Sequence, residues 1–336
     1  MKKKCQLPFD EPKIMSCDRF AFSWGVTKGN LGAEYDKILS RKFINCYFAE
    51  SFPYEKFVIS TMDSLSEKQN VVLNQTLDLH KDVASVLKLD FVLLIKKCIS
   101  NGYYVFSSCP CAFFDEDAPQ NSNVNFLVVG YDSINGIFSI KAFDVKGHLS
   151  SYEVNDREFV DRLLNLPKDN IVFQFWRFNK DNRIELDLSA IEAEFDDYIN
   201  SKTSLVQYTK NKVYGLKAFE NLNEYFKKQL ELGRPLEREY LQSVADHKYC
   251  MWKRLKYFAQ QQIVSNEYVV VAEQVYKLSI NVLGLGLEYN ATSDKLTGKK
   301  AIEYLSNLIE KEREYLPKVL EELTAAKLAY MKDCSK

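Results

Sequence analysis

The sequence has almost no net charge and no long apolar run. Its 45 basic and 46 acidic residues nearly cancel, and no basic face interleaved with aromatic side chains is visible. A nucleic-acid groove requires such a face, so we expect no nucleic-acid partner. No stretch approaches the roughly 20 apolar residues of a transmembrane helix, and no apolar segment follows the basic start MKKK. These absences predict a cytoplasmic protein without a membrane partner.

Histidine is scarce, and cysteine follows no regular spacing. The 336 residues include three histidines and eight cysteines. Irregular cysteine spacing in a chain of this size favours free thiols over a disulfide framework. His247 and Cys250 have the spacing of two metal ligands on a helix, but no second pair accompanies them. Gly284 and Gly286 lack the third glycine of a dinucleotide-binding loop, so we predict neither a metal site nor a cofactor.

The hydrophobic pattern changes character at about residue 183 and predicts an α+β protein with two domains, 1–183 and 184–336. The first half predicts an antiparallel sheet with helices, and the second half predicts an all-helical bundle. The elements predicted in the first half are an irregular lead-in over 1–35, a hairpin over 42–61, two short helices or one kinked helix over 77–100, a helix over 155–166, and strands at 103–107, 124–131, 137–143 and 171–178. The helices predicted in the second half are 188–200, 213–232, 238–262, 268–289 and 302–323.

Residues 121–147, NSNVNFLVVGYDSINGIFSIKAFDVKG, combine the clearest hairpin pattern with polar groups at its ends. An apolar strand ends at Gly130-Tyr131-Asp132, and Asn135-Gly136 supplies the positive φ that the turn requires. The second strand then delivers Asp144 close to where the first strand began. The hairpin therefore brings the side chains at its two outer ends together.

This layout resembles the His-strand-GlyTyrAsp-strand-Asp unit of papain-like cysteine peptidases and acyltransferases. It is most similar to butirosin-biosynthesis proteins of the BtrH type, which are encoded in peptide-antibiotic clusters. Segments 90–109, 212–226 and 246–258 look similar to further segments of these relatives. The resemblance implies a papain-like fold for the first half. It also implies cysteine-dependent acyl transfer or amide formation on a carrier-protein-bound or peptide substrate.

In the family, a histidine opens the first strand as general base, and an acidic residue on the second strand orients its imidazole. Asp144 matches the orienting position, whereas counting back from Gly130 puts Val124 at the position of the histidine, with Asn125 beside it. His148 follows Asp144 and could reach the site from the end of the second strand; alternatively it is an exposed loop residue.

A nucleophile of the papain type lies at a helix N-terminus, where the thiol pKa is lowered. Cys17 has a suitable position in the chain, but the residues after it, FAFSWGVTKGN, are a poor helix sequence. Cys109 and Cys111 are either a relocated nucleophile or a metal-prone thiol pair, or they are two small, partly buried residues that flank a proline. The last interpretation is favoured because an unactivated cysteine behaves as a small hydrophobe. The predicted catalytic residues are Cys109, Cys111, Asp144 and His148, and the predicted substrate-binding residues are Asn125 and Tyr131.

Three functional hypotheses remain open. The first is the acyl-transfer enzyme that the resemblance implies. The second is a catalytically degenerate binding or scaffold protein of a biosynthetic assembly, whose cleft recognises a peptide or a carrier protein. The third is a structural partner whose helical half forms a homodimer. The missing family histidine separates the first hypothesis from the other two.

Overall fold

The computed structural model describes residues 2–13, 15, 18–41, 44–49, 56–59, 73–115, 118, 123–144, 147–166, 172–180, 186–203 and 212–334. The strands in these ranges are β1 (Lys4–Gln6), β2 (Cys46–Ala49), β3 (Lys56–Ile59), β4 (Leu73–His80), β5 (Tyr103–Pro110), β6 (Asn123–Asp132), β7 (Ile137–Phe143), β8 (Leu149–Asn155), β9 (Val172–Phe178) and β10 (Lys212–Tyr214). The α-helices are α1 (Asp18–Leu31), α2 (Tyr35–Leu39), α3 (Lys81–Val86), α4 (Phe91–Ser100), α5 (Asp156–Leu164), α6 (Leu188–Ile199), α7 (Gly215–Glu231), α8 (Arg238–Gln260), α9 (Asn266–Thr292) and α10 (Lys295–Cys334).

The chain divides into two compact units, and the predicted α+β class is confirmed. The first unit comprises Met1–Gly32 and Leu65–Arg183, and the second comprises Ala33–Ser64 and Ile184–Lys336. The later division point falls where the sequence analysis placed the domain boundary. The segment Ala33–Ser64 differs from that prediction, because its helix α2 and strands β2 and β3 pack with helices of the second unit.

The first unit is an antiparallel sheet in the order β4-β9-β5-β6-β7-β8, with β1 paired to the far end of β6. Side chains alternate between the two faces of a strand, and both faces of this sheet are covered. Helix α1 covers one face, which carries Tyr104, Phe106, Leu127, Val129, Phe143 and Trp176. Helices α4 and α5 cover the other face, which carries Val105, Cys109, Val124, Phe126, Val128 and Ile140.

Local signals account for the elements around the hairpin of β6 and β7. The Asp132 carboxylate accepts hydrogen bonds from the backbone N–H groups of Ile134 and Asn135, at 2.9 and 3.2 Å. Gly136 has a φ of +66°, as the sequence predicts for this turn. Asn155 is the N-cap of α5, because its side chain accepts a hydrogen bond from the Glu158 N–H at 3.0 Å. The predicted hairpin and N-cap are therefore confirmed.

Helix α1 overturns the prediction of an irregular lead-in. Gly25 and Gly29 read as helix breakers, but they are four residues apart and lie on the same helix face. A Cβ atom on Gly25 would lie within 2.4 Å of the Phe9 ring, and one on Gly29 would lie 2.7 Å from the Phe9 Cα. The glycines thus permit the N-terminal segment to pack closely on α1, which the sequence pattern alone does not reveal.

Two further predictions need correction in the first unit. Residues 77–80 read as helix but belong to β4. The helical region that follows consists of two short helices, α3 and α4, which is one of the two arrangements that the sequence predicts. Asp90 begins α4 as its N-cap, accepting a hydrogen bond from the Leu93 N–H at 2.9 Å. Strand β8 was not predicted, because as an edge strand it has a mostly polar and half-exposed sequence, LSSYEVN.

The second unit is a helical bundle with a small sheet in the order β10-β2-β3. The hairpin expected at 42–61 is confirmed in its described residues, where β2 pairs antiparallel with β3. The predicted periodic pattern of the last helix is also confirmed, since all its core positions are buried: Ile302, Leu305, Ile309, Leu316, Val319 and Leu323. Helix α10 continues through Pro317. Among the described helices, none combines the length and apolarity that a membrane span requires.

Candidate functional site

The predicted site residues cluster at one end of the sheet in the first unit, with one exception. The ends of β4, β5 and β7 meet the starts of β9, β6 and β8 there, as the pairs His80 with Val172, Pro110 with Asn123, and Phe143 with Leu149 show. The exception is Tyr131, which lies at the opposite end of β6. The strand alternation decides which face each of the remaining side chains occupies.

Cys109 and Cys111 face the core beneath α4 and α5. Cys109 pairs with Val124 in the register of β5 and β6, and both side chains belong to the same apolar cluster as Cys111. The two cysteines are 2% and 4% exposed. A substrate cannot reach thiols buried to this extent without local opening.

The electrostatic surroundings of Cys109 oppose thiolate formation. Burial is the main cause that raises the pKa of the Cys109 thiol, and the neighbouring Cys111 raises it further. The charge of Arg162 acts in the opposite direction but is the smallest of the three effects. Reactive cysteines have lowered pKa values, because the thiolate is the nucleophile. The arrangement therefore matches the last interpretation of these cysteines, as small buried residues.

Asn125 occupies the opposite face of the sheet, on the side of α1. It lies between the inward positions Val124 and Phe126 and shares its face with Leu127, which packs against α1. Its register partner on β5 is Ser108, which is half-buried as Asn125 is. Val124, the predicted position of the family histidine, lies on the opposite face, and Asn125 beside it carries an amide, which does not titrate near neutral pH.

Asp144 and His148 form a pair in the turn between β7 and β8. The His148 Nδ1 lies 3.3 Å from the Asp144 Oδ2, and the His148 backbone N–H donates to Oδ1 at 2.7 Å. The Asp144 N–H donates in turn to the His148 carbonyl at 2.9 Å. The carboxylate thus contacts the imidazole of His148, and not a histidine at the start of β6, and the His148 side chain is 68% exposed. The interpretation as an exposed loop histidine fits this position.

The Tyr131 side chain has a structural role. It is 1% exposed, and its hydroxyl lies 2.6 Å from the Ser100 Oγ and donates to the Lys2 carbonyl at 3.0 Å. These contacts tie α4 and the N-terminal segment to the far end of β6. The structure therefore gives this side chain no access to a substrate at the predicted cleft, and the cleft residues are divided between the two faces of the sheet.

The remaining two histidines lie elsewhere. His80 was predicted on a helix but ends strand β4, and its side chain is exposed. Three strand spacings separate β4 from β6 in the sheet order, so the two backbones are about 14 Å apart. His247 is fully buried in the second unit. Among the described residues, no three His, Cys, Asp or Glu side chains are grouped as metal ligands.

Sequence reasoning overlooked a cluster of buried charges in the second unit. The Lys248 Nζ lies 2.6 Å from the Glu312 Oε2, and both side chains are completely buried. The Tyr198 hydroxyl donates to the same oxygen at 2.7 Å, and the Lys248 Nζ donates to that hydroxyl at 2.9 Å. The Phe219 ring centroid lies 3.5 Å from the Lys248 Nζ. The cluster therefore joins α6, α7, α8 and α10.

The sequence does contain a signal for this ion pair. Lys248 occupies a core position of α8, four residues after Val244 and three before Met251, and both of these neighbours are buried. Glu312 occupies the equivalent position of α10, between the buried Ile309 and Leu316. Opposite charges at core positions of two predicted helices indicate a buried pair, because a lone buried charge is too costly.

His247 is held neutral beside this pair. Its Nε2 lies 2.9 Å from the Ile44 carbonyl, which can only accept, so Nε2 carries the proton. Burial is the main cause that keeps the pKa of His247 well below its usual range, and the charge of Lys248 adds to the effect. The ring stacks on Tyr198 with centroids 5.1 Å apart. A group enclosed in this way serves the packing of the unit.

Comparison of the chain with protein-family models and with curated proteins finds no match.

Removing one partner of the buried ion pair should destabilise the second unit strongly. We expect Lys248→Met to lower the free energy of unfolding by about 3–5 kcal/mol, because it leaves the Glu312 carboxylate buried without its cation. Lys277→Met, which breaks the exposed pair with Glu273, should change it by less than about 0.5 kcal/mol. Urea unfolding followed by circular dichroism measures both variants. Equal stability of the two would contradict the assigned role of Lys248.

His247 should make the protein sensitive to acid. Because its pKa is lowered by folding, the unfolded chain takes up a proton below about pH 6.5 that the folded chain does not. Its contribution to stability is therefore present above that pH and is lost as the pH falls, by up to about 1.4 kcal/mol per pH unit. Urea unfolding between pH 7.5 and 5.5 should show a shallower loss for His247→Gln than for the wild type. His148→Gln, at an exposed position, is the matched control. If His247→Gln lost as much stability between pH 7.5 and 5.5 as the wild type does, this role would be refuted.

Proposed function

We propose that the first unit is a catalytically degenerate papain-like module that binds a peptide or a carrier-protein-bound substrate within a biosynthetic assembly in the cytoplasm. Two observations support the proposal: the resemblance of residues 121–147 to the papain-like family, and an arrangement of elements that is compatible with that resemblance. A helix, α1, covers one face of an antiparallel sheet, and the strand with the GlyTyrAsp sequence, β6, contributes to that same covered face.

The observation that carries the proposal is the position of Asn125. The resemblance puts Val124 at the position of the family histidine, with Asn125 beside it. Val124 lies on the α4 and α5 face of β6, and Asn125 lies on the α1 face. An amide can donate and accept hydrogen bonds to a peptide or to the amide groups of a carrier-protein arm, but it cannot serve as general base. The site thus keeps groups for recognition and lacks the group for proton transfer.

The thiols support the same conclusion. Cys109 and Cys111, the predicted relocated nucleophiles, are buried in the core on the opposite face from Asn125. Loss of a general base alone costs about 10²–10⁴-fold in rate. Loss of the activated thiol as well leaves little beyond binding and oxyanion contributions. Binding is therefore the function that these residues can perform.

A specific observation favours cysteine-dependent acyl transfer as the second candidate. Helix α1 begins at Asp18, immediately after Cys17 in the sequence, and a thiol at a helix N-terminus has a lowered pKa. The objection that the sequence after Cys17 is a poor helix is wrong, because that sequence is helical. Cys17 itself lies outside the described residues. In this candidate Cys17 carries the acyl group, and Asp144 orients whatever base assists it.

Thiol reactivity distinguishes the two candidates. The full-length protein is exposed at neutral pH to a small alkylating reagent and, separately, to a reactive acyl thioester, and the whole-protein mass is followed with time. We expect labelling no faster than that of free cysteine, because the module has no base to assist a thiol. Mapping of the adducts by proteolysis assigns the rate at each cysteine.

The matched variants are Cys17→Ala and Cys98→Ala, the latter removing a half-buried cysteine of α4. A single fast adduct that disappears in Cys17→Ala and persists in Cys98→Ala would overturn the binding proposal in favour of acyl transfer. Slow labelling that neither variant changes supports the degenerate module.

A further inference from the structure

Strand β8 leaves one edge of the sheet in the first unit open. It is the last strand in the sheet order, and among the described strands it pairs with β7 alone. Its seven residues run from Leu149 to Asn155, and Ser151 and Glu153 are exposed. A strand with a free edge offers a row of backbone N–H and C=O groups to a further strand.

The ladder between β7 and β8 shows which residues offer those groups. The Asp156 N–H donates to the Gly136 carbonyl at 2.9 Å and continues the register of the ladder at one end. Bonded pairs of an antiparallel ladder come at every second residue. The even-numbered residues of β8 therefore bond to β7, whereas Ser151 and Glu153 direct their N–H and C=O groups towards the open edge.

Lys141 and Glu153 place opposite charges beside this edge. Both lie on the face of the sheet that carries Phe143, because alternate residues of a strand share a face. The Lys141 Nζ lies 2.5 Å from the Ser151 Oγ and 5.4 Å from the Phe9 ring centroid. Among the described residues, neither Lys141 nor Glu153 takes part in an ion pair. The edge therefore presents a cation and an anion that are both available to a partner.

We propose that β8 pairs antiparallel with β8 of a second copy of this chain, about a two-fold axis that sets Ser151 of each copy opposite Glu153 of the other. Opposed residues with this orientation exchange both of their backbone hydrogen bonds. A two-fold axis perpendicular to the sheet keeps the same face of both sheets on one side. Each Glu153 side chain therefore lies on the same face as Ser151 and Lys141 of the second copy.

The charges select this register among those that the backbone allows. Setting Ser151 opposite Ser151 of the second copy would bring the two Lys141 ammonium groups together, and setting Glu153 opposite Glu153 would bring two carboxylates together. Like charges on opposed residues destabilise a sheet. When Ser151 is opposite Glu153, their Cβ atoms are about 5 Å apart, so the carboxylate reaches the Lys141 ammonium that lies against Ser151.

The same charge argues for a second copy over an arbitrary strand. A charged residue on an edge strand discourages pairing with most sequences. Glu153 admits a strand that brings a cation to the opposed position, and β8 of a second copy does so at both of the equivalent positions. This dimer forms through the sheet of the first unit, whereas the sequence analysis expected a homodimer through the helical half.

Sedimentation velocity of the full-length protein, from low to high micromolar concentrations, measures the association. We expect a reversible monomer–dimer equilibrium, because an edge of seven residues buries less surface than a stable interface requires. Glu153→Lys and Lys141→Glu should each weaken the dimer at least about tenfold, since two symmetry-related contacts change from attraction to repulsion. The double variant should restore it. Glu303→Lys, the same change at an exposed position of α10, is the matched control and should associate as the wild type does.

Hydrogen exchange locates the interface. The amides of Ser151 and Glu153 point to the open edge, so their exchange should slow as the protein concentration rises. The Tyr152 amide bonds to β7 and should show no such dependence. Ser151→Pro removes an outward N–H without removing a bond to β7, so it should prevent the dimer while the circular dichroism spectrum stays that of the wild type.

Three results would overturn the proposal. The first is a protein that is monomeric at every concentration, including one whose open edge binds an added extended peptide instead. The second is a dimer that persists in Glu153→Lys and in Ser151→Pro, because the association would then use another surface, such as the helical half. The third is loss of the dimer in both single-charge variants without recovery in the double variant, because the two charges would then not face each other.

Discussion

The burial of β6 on both faces is the constraint on which the first unit depends. Leu127 and Val129 pack towards α1, while Phe126 and Val128 pack towards α4 and α5, and all four are at most 1% exposed. Neither face can accept a shift of register, because a shift by one residue would exchange every side chain between two filled cores. The strand therefore places Asn125 on the α1 face. It places Val124, the register partner of Cys109, on the face that α4 and α5 cover.

This alternation explains why the site was harder to predict than the fold. The hairpin, the N-cap at Asn155 and the core pattern of α10 follow from local rules, and the structure confirms them. The predicted position of the family histidine is found by counting back from Gly130. An error of one residue in that count exchanges Val124 for Asn125, whose side chains lie on opposite faces of the sheet. The packing of α1 shows which face of the sheet Asn125 occupies, and α1 itself was not predicted because its glycines serve close packing.

In the second unit, a buried ion pair occupies core positions that apolar side chains would otherwise fill. Lys248 and Glu312 are distant in sequence, so their pairing depends on how the helices pack rather than on local propensity. The Tyr198 hydroxyl donates to the Glu312 carboxylate, and the His247 ring stacks on Tyr198. A buried ion pair is weak evidence for stability. It specifies which helices pack together, because a different pairing of the helices would bury a charge without its partner.

The central proposal is that the start of β6 carries no general base, with Val124 and Asn125 at and beside the position that the resemblance gives to a histidine. The most direct test is the pH-dependent rate of cysteine alkylation in Asn125→His, mapped to each cysteine, with Val124→His as the matched variant on the other face. The account predicts faster labelling at neutral pH in Asn125→His alone, because only that imidazole reaches the α1 face. Unchanged labelling in Asn125→His, or acceleration in Val124→His instead, would contradict it.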